Sequence, residues 1–273
     1  MIIALDIGNT NIVVGGIENS KLIFQGRIET DCGRTAVEYA ESIIKILREN
    51  NCTEIDGGII SSVVPEITKK AESALKSLTK GEVLTVGQNI DVGINVLMDN
   101  PKKVGEDMLV DAIAALDRYK APMLIFDMGT ASTCSILDKN GNYIGSIIAP
   151  GVGISMNALT EKCAKLPKTS LEAPKGIIAK NTDQSIKCGV VYGNAAMLDG
   201  LADRVIEELG CEAEIIATGG ISRDIVPYCR HKMHYDPDLT LRGLAILWDR
   251  RPRKDCIYEY GNSDALSKSQ IME

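Results

Sequence analysis

The sequence predicts an α/β protein made of two similar halves, and three glycine turns carry that expectation. Met1 to Leu5 is a short apolar run that ends on Asp6. Gly8-Asn9-Thr10-Asn11 follow, and Ile12, Val13 and Val14 begin a second apolar run. Two strand-like runs joined by a small polar turn read as a β-hairpin. The pattern recurs downstream. Met123 to Phe126 is apolar, Asp127 ends it, and Gly129-Thr130-Ala131-Ser132-Thr133 follow. Cys134 to Leu137 is again strand-like, with a hairpin turn at Asn140-Gly141. The third turn, Ala217-Thr218-Gly219-Gly220, follows the apolar pair Ile215-Ile216.

The first turn has the chemistry of a phosphate site. Gly8 lets the backbone turn and lets a ligand approach closely. Asn9, Thr10 and Asn11 offer amide and hydroxyl groups beside exposed backbone N–H groups. Such a nest suits phosphate oxygens. Asp6 suits a hydrated Mg²⁺, which takes one or two carboxylates and keeps several waters. An Asn-rich hairpin turn with no ligand is the alternative, and the second copy at Asp127 argues against it. Two phosphate hairpins plus a late Gly-Gly turn resemble the acetate kinase, sugar kinase, Hsp70 and actin superfamily. That resemblance implies two similar actin-like (ribonuclease H-like) lobes with a nucleotide cleft between them.

The remaining elements follow in order. Lys21 to Gln25 reads as a third strand after a turn at Asn19-Ser20. Arg34 to Asn50 is helical, with Ala36, Ala40, Ile43, Ile44 and Leu47 at helical spacing. Ile59 to Val64 is a strand stopped by Pro65, Glu66 to Leu78 a second helix, and Glu82 to Val86 a short strand. Residues 87–104 form a looser connection with a strand candidate at Gly93 to Met98. Gly105 to Tyr119 is helical, which puts Asp107 in a first turn. There the macrodipole favours a carboxylate, so Asp107 is expected to be ionised near neutral pH and able to accept a hydroxyl proton. Asp111, one turn on, could face the same cleft. Ala149-Pro150-Gly151-Val152-Gly153 leads into a helix through Leu166, closed by Pro167. Lys168 to Lys180 is loop-like, and the helix from Asn181-Thr182 runs to Leu209. Its Gly189, Gly193 and Gly200 suggest close packing or a break. Glu214 to Ala217 is a strand and Asp238 to Trp248 the final helix. The expected division is an N-terminal lobe at 1–118, a C-terminal lobe at 119–250 and a poorly ordered polar tail at 251–273.

Bulk properties narrow the function. With 273 residues, 45% hydrophobic and 25% charged, the composition is that of a globular protein. Aromatics are only 4%, so the core must be aliphatic. The net charge of -7 argues against a nucleic-acid partner. An acidic chain that binds ATP must also recruit cations locally. The eight cysteines show no C-x-x-C pair and no metal-ligand spacing, and reduced thiols are the simplest reading. His231 and His234 stand near Cys229, and no fourth ligand is placed by spacing, so they read as loop residues. Met1 opens a strand, so no leader is expected. No apolar run reaches the roughly 20 residues of a membrane span. A cytoplasmic protein with no membrane partner is expected. There is no G-x-x-x-x-G-K-[ST]. Gly151-Val152-Gly153 fails the dinucleotide fingerprint at Met156. Two late histidines support no Ser-His-Asp set.

The motif set as a whole resembles type III pantothenate kinase. It matches at D-I-G-N-T-N (Asp6–Asn11), S-S-V-V-P (Ser61–Pro65), D-N-P (Asp99–Pro101), G-E-D (Gly105–Asp107) and D-M-G-T-A (Asp127–Ala131). It continues at A-P-G-V-G (Ala149–Gly153), L-P (Leu166–Pro167), N-T (Asn181–Thr182), A-T-G-G (Ala217–Gly220) and D-P-D-L-T-L-x-G-L (Asp236–Leu244). The resemblance implies ATP-dependent phosphorylation of the primary hydroxyl of pantothenate, the first step towards coenzyme A. It implies Mg²⁺, a K⁺ or NH₄⁺ requirement, and a homodimer with its substrate pocket near the dimer interface. Asp6, Ile7, Gly8, Asn9, Thr10, Asn11, Ile12 and Val13 would hold ATP phosphates, with Asp6 on Mg²⁺. Thr130, Gly219 and Gly220 would contact ATP. Asp107 would be the general base and Asp127 the K⁺ ligand. Met98, Gly105, Glu106, Asp107, Met108 and Thr182 would touch pantothenate. Two positions depart from the family pattern. Met108 stands where G-x-D-R has an Arg suited to the substrate carboxylate, and Met98 stands where a Tyr precedes D-N-P. Three alternatives stay open: a different small-molecule kinase of the superfamily, a phosphohydrolase, and a non-catalytic nucleotide-binding regulator.

Overall fold

The computed structural model describes residues 1–251, so the expected tail, from residue 252 on, and Cys256 lie outside the described residues. The first lobe contains β1 (Ile2–Ile7), β2 (Asn11–Glu18), β3 (Lys21–Glu29), α1 (Ala36–Glu49), β4 (Gly57–Ser62), α2 (Pro65–Leu78) and β5 (Val83–Thr85). After α3 (Glu106–Arg118) come β6 (Met123–Met128), β7 (Ala131–Leu137), β8 (Tyr143–Pro150), α4 (Val152–Lys162), α5 (Thr182–Leu209), β9 (Glu214–Thr218), α6 (Ser222–Ile225) and β10 (His234–Tyr235). The last helix is α7 (Leu239–Arg250). The sheets are ordered β3-β2-β1-β4-β5 and β10-β9-β6-β7-β8. Each has two antiparallel pairings on one side of its first strand and parallel pairings on the other. The two lobes are therefore one topology used twice, an α/β fold with two actin-like lobes.

Local chemistry sets most element ends. Asn19 and Ser20 both have positive φ, the backbone that a two-residue hairpin turn between twisted strands requires. Thr35 and Glu38 close a capping box on α1, and Pro65 occupies the first turn of α2, where its missing N–H costs nothing. Asn181 caps α5 by accepting from the Gln184 N–H. Gly210 ends that helix in the left-handed conformation.

Several expectations are corrected. Gly93 to Met98 is not a strand; only Val96 bridges, to Tyr143, because no neighbouring segment extends the ladder. The helix after Gly151 stops at Lys162, four residues before Leu166. Pro167 disfavours a helical Leu166, and the Leu166 N–H instead closes a turn on the Cys163 carbonyl. α5 runs unbroken through its glycines, and a β-carbon at Gly189 or Gly193 would meet open space, so those two mark no close packing. The two-residue β10 is too short to leave a periodic signal.

The position of α3 matters most for function. One face of the first sheet is covered by α1 and α2, with Ile3, Leu5 and Ile7 against Ile43, Leu47 and Leu75. The other face, with Ile2, Ala4 and Ile59, packs on Val110 and Ile113 of α3 and on Leu241, Leu244 and Trp248 of α7. In the second lobe, Leu124, Phe126 and Met128 face α5. Met123, Ile125 and Ile216 face Ala112 and Ala115 of α3. Alternate residues of a strand point to opposite faces, so β1 and β6 both present one face to α3. That helix is wedged between the two sheets.

Gly243 makes the α3–α7 contact possible, because a β-carbon there would overlap the Val110 carbonyl. The obstacle is backbone and cannot swing away. Overpacking a filled core costs typically about 1–3 kcal/mol. Gly243→Ala is expected to lower the thermal midpoint by several degrees, about 2–4 °C per kcal/mol, and to reduce activity by displacing α3. A midpoint equal to wild type in a melting experiment would show that this contact does not constrain the helix.

Candidate active site

The C-terminal ends of β1 and β6 carry Asp6 and Asp127. In register, Asp6 pairs with Val13 and Asp127 with Thr133, so the two carboxylates hold equivalent places. Both point to the face that α3 covers. On α3, Asp107 and Asp111 are four residues apart and share one side of the helix. The wedge thus brings four carboxylates from three elements together.

The hairpins close the cleft from either side. The Gly8 N–H donates to the Asn11 carbonyl at 3.0 Å, and the Gly129 N–H to the Ala131 carbonyl at 3.1 Å. The second turn is one residue tighter, since Met128 pairs with Ser132 where Ile7 pairs with Ile12. Thr30 braces the first turn, its hydroxyl on the Gly8 carbonyl at 2.7 Å and its N–H on the Thr10 carbonyl at 3.0 Å. Across the cleft, the Thr10 and Thr130 hydroxyls meet at 2.8 Å. Gly219, at φ +89°, lies so close to Asp127 that a β-carbon would overlap its carboxylate. The third glycine turn therefore belongs to the same site.

Electrostatics in this cleft are unfavourable. Burial, and then the charges of Asp107 and Asp127, push Asp6 up to about 8. Burial, and then Asp107, push Asp127 up to about 7. Asp111 is almost fully buried and is also driven upward, by burial and then by Asp127, although the Thr240 hydroxyl donates to it at 2.6 Å. Burial also raises Asp107 from its ordinary value and outweighs the Met108 N–H that donates to its Oδ1 at 2.8 Å. A first-turn position is worth less than the desolvation around it.

A cation would relieve this strain. Among the described residues no three His, Cys, Asp or Glu side chains converge as an ion cage. A hydrated Mg²⁺ takes only one or two carboxylates and keeps several waters. The Ser61 hydroxyl, paired in register with Asp6, is buried without a partner among the described residues, which leaves it open to a ligand or water there. The donor set of Asp6 fits a hydrated divalent ion.

The other expected residues fall as follows. Gly105 caps α3, and a β-carbon at Gly87 would press on the Glu106 carboxylate. Met98 and Met108 share the apolar cluster beneath α3, and the Tyr143 hydroxyl lies 4.0 Å from the Met108 sulfur. Gly220 is exposed beside Gly219. Thr182 is exposed at the start of α5, and no hydrogen bond among the described residues ties it to Asp107. His231 and His234 pair with Asp203 and Glu214. Among the described residues seven cysteines are free, and no helix is long and apolar enough to cross a membrane.

A pH dependence follows with a definite sign. The folded state holds protons on Asp6 and Asp127 that the unfolded chain has already lost above about pH 4. Their stabilising contribution is complete below about pH 4 and is lost as pH rises through about 7 and 8. Asp6→Asn and Asp127→Asn should each melt higher than wild type at pH 8.5, by at least about 3 °C. The gap should close towards pH 4. Melting curves at both pH values check this; variants that melt lower at pH 8.5 would contradict it.

Solved structures with the same architecture come from several bacteria. The activator of 2-hydroxyisocaproyl-CoA dehydratase from Clostridium difficile superposes with a TM-score of 0.51 at 11% identity, covering 90% of this chain and 92% of that one. Component A of (R)-2-hydroxyglutaryl-CoA dehydratase from Acidaminococcus fermentans gives 0.52 at 13% identity, covering 90% and 95%. MreB 5 of Spiroplasma citri gives 0.50 at 13% identity, also covering 90% and 95%. At such identities the likeness establishes the fold. Residues 2–204 match the type III pantothenate kinase family, and the chain belongs to that family.

Proposed function

We infer that this protein transfers the γ-phosphoryl group of ATP to the primary hydroxyl of pantothenate, giving 4'-phosphopantothenate in the first step of coenzyme A biosynthesis. The observation that carries this reading is the convergence of both hairpins and α3 on one cleft, in a chain of this family.

The roles proposed for the residues follow phosphoryl-transfer chemistry, in which positioning and charge neutralisation do most of the work. The span 6–13 receives the phosphate chain with backbone N–H groups, amides and hydroxyls. Thr130 contacts it from the opposite hairpin, and Gly219 and Gly220 border the nucleoside. The Thr10–Thr130 contact joins the groups that would sit against the γ-phosphate. Mg²⁺ at Asp6, when bound, offsets charge on the phosphates, and a monovalent cation beside Asp127 offsets more. Asp107 accepts the proton of the substrate hydroxyl as the new O–P bond forms. The bond from the γ-phosphorus to the bridging oxygen breaks, and ADP leaves with that oxygen. Burial that raises Asp107 also makes it a stronger base. Met98, Gly105, Glu106, Met108 and Thr182 are proposed to border pantothenate. Since Met108 offers no charge, the pantothenate carboxylate must find its cation elsewhere, which keeps a different small-molecule acceptor as the second reading.

The lobes are proposed to divide at 118/119, with α7 returning onto the first sheet. A homodimer is also proposed. The exposed apolar residues Ile148 on β8, Ile154 and Leu159 on α4, and Ile177 and Ile178 before α5 support it. The site is proposed to work in the cytoplasm.

With Mg²⁺ present, pantothenate should stimulate ADP release. Asp107→Asn should lower kcat by at least about 10²-fold, the usual worth of a general base. Its thermal midpoint should not fall, since the change removes a charge that burial disfavours. A coupled assay over a panel of hydroxy acids and sugars checks both. Stimulation by a sugar alone would favour the second reading. A loss on Asp111→Asn with Asp107→Asn active would move the base to Asp111.

The cation role gives a separate expectation. Replacing K⁺ by Na⁺ should sharply lower turnover, and Asp127→Asn should do the same. Equal rates in the two salts would remove the monovalent ion from Asp127.

A further inference from the structure

We propose that Arg27 is a nucleotide-binding residue that grips the α- or β-phosphate of ATP from the third strand of the first lobe; this rests on the kinase reading above. Three observations carry it. The first is register. Arg27 on β3 pairs with Val13 on β2, and Val13 pairs with Asp6 on β1. Residues paired across adjacent strands share a face, so Arg27, Val13 and Asp6 form one row on the side turned to α3 and the cleft. Two strand spacings of about 4.8 Å separate the ends of that row. The Asp6 and Arg27 backbones therefore lie about 10 Å apart on one face, close enough for their side chains to meet a single bound polyphosphate.

The second observation is where the guanidinium goes. It crosses to the other lobe and rests on the late glycine turn. The Arg27 Nη1 and Nη2 atoms lie 3.3 and 3.5 Å from the place a β-carbon on Gly220 would occupy. Gly220 has no side chain, so nothing from that position covers the fork.

The third is that the charge is uncommitted. Arg27 is exposed, and no hydrogen bond or ion pair among the described residues holds it. By contrast, Arg118 and Arg242 are tied to Asp236, and Arg251 lies by Glu82. A lone arginine on an edge strand often serves only to deter strand pairing. Such a charge would point to solvent, whereas this one leans on the opposite lobe. The cleft it borders is crowded with carboxylates, and a polyphosphate entering there needs a cation. A planar guanidinium fork matches two phosphate oxygens at once.

Equilibrium binding of ATP, ADP and adenosine in Mg²⁺ to wild type, Arg27→Gln and Arg27→Lys tests this. Arg27→Gln should weaken ATP and ADP alike by roughly 10–100-fold, as expected for a charge-assisted bond lost, and leave adenosine binding and the thermal midpoint unchanged. Arg27→Lys should lie between, since it keeps the charge and loses the fork. The ATP affinity of Arg27→Gln should also depend less on salt. Unchanged ATP and ADP affinity, an equal loss for adenosine, or a fall in midpoint that accounts for the loss would each overturn the proposal. Wild-type protein that binds none of the three would overturn the nucleotide cleft itself.

Discussion

The burial of four carboxylates around α3, and after it their mutual repulsion, is the constraint on which this site depends. Asp6, Asp107, Asp111 and Asp127 are brought out of water and towards one another, and each is pushed to a higher protonation range. A folding domain gains nothing from this, because buried charges are tolerated only when compensated. Cations and protons compete for these oxygens, and on the proposed reading a magnesium nucleotide brings its own cation.

The duplicated lobe explains how a small chain assembles such a site. Each copy ends its first strand on an aspartate and turns back through a glycine hairpin. On the proposed reading one such hairpin grips phosphate from a single side, and two facing each other make a cleft. α3 is the shared element, its alanines packed on the second sheet and Val110 and Ile113 on the first. The chain then returns through α7, and the missing side chain of Gly243 lets α7 approach the Val110 carbonyl. With Asp107 in its proposed role, catalytic and structural demands meet in one helix, so changes in its packing should be felt in turnover.

Much of this was legible in the sequence because it is local. Asp-x-Gly after an apolar run marks both hairpins. The period of Leu109, Val110, Ile113 and Leu116 marks α3. Asn19-Ser20, Thr35 to Glu38 and Pro65 mark turns and starts. What could not be read depends on residues more than a hundred positions apart. The Thr10–Thr130 contact, the depth of Asp111 beneath Thr240 and the reach of Arg27 to Gly220 are of that kind. The burial of Asp107 is of the same kind: its helix position is visible in sequence, and its place between two sheets is not. The end of α4 was misjudged through Pro167, whose influence reached back as a turn at Cys163 instead of as a helix stop.

Proton release on ligand binding tests most directly whether the carboxylate cluster is held partly protonated until cations arrive. Titration calorimetry of Mg²⁺ and nucleotide binding, run at pH 7.5 in buffers of different ionisation enthalpy, counts those protons. Binding should release roughly one proton per protein, since a group raised to about 8 is still largely protonated at that pH, and Asp6→Asn should abolish most of the release. Binding with no proton released in wild type would contradict it.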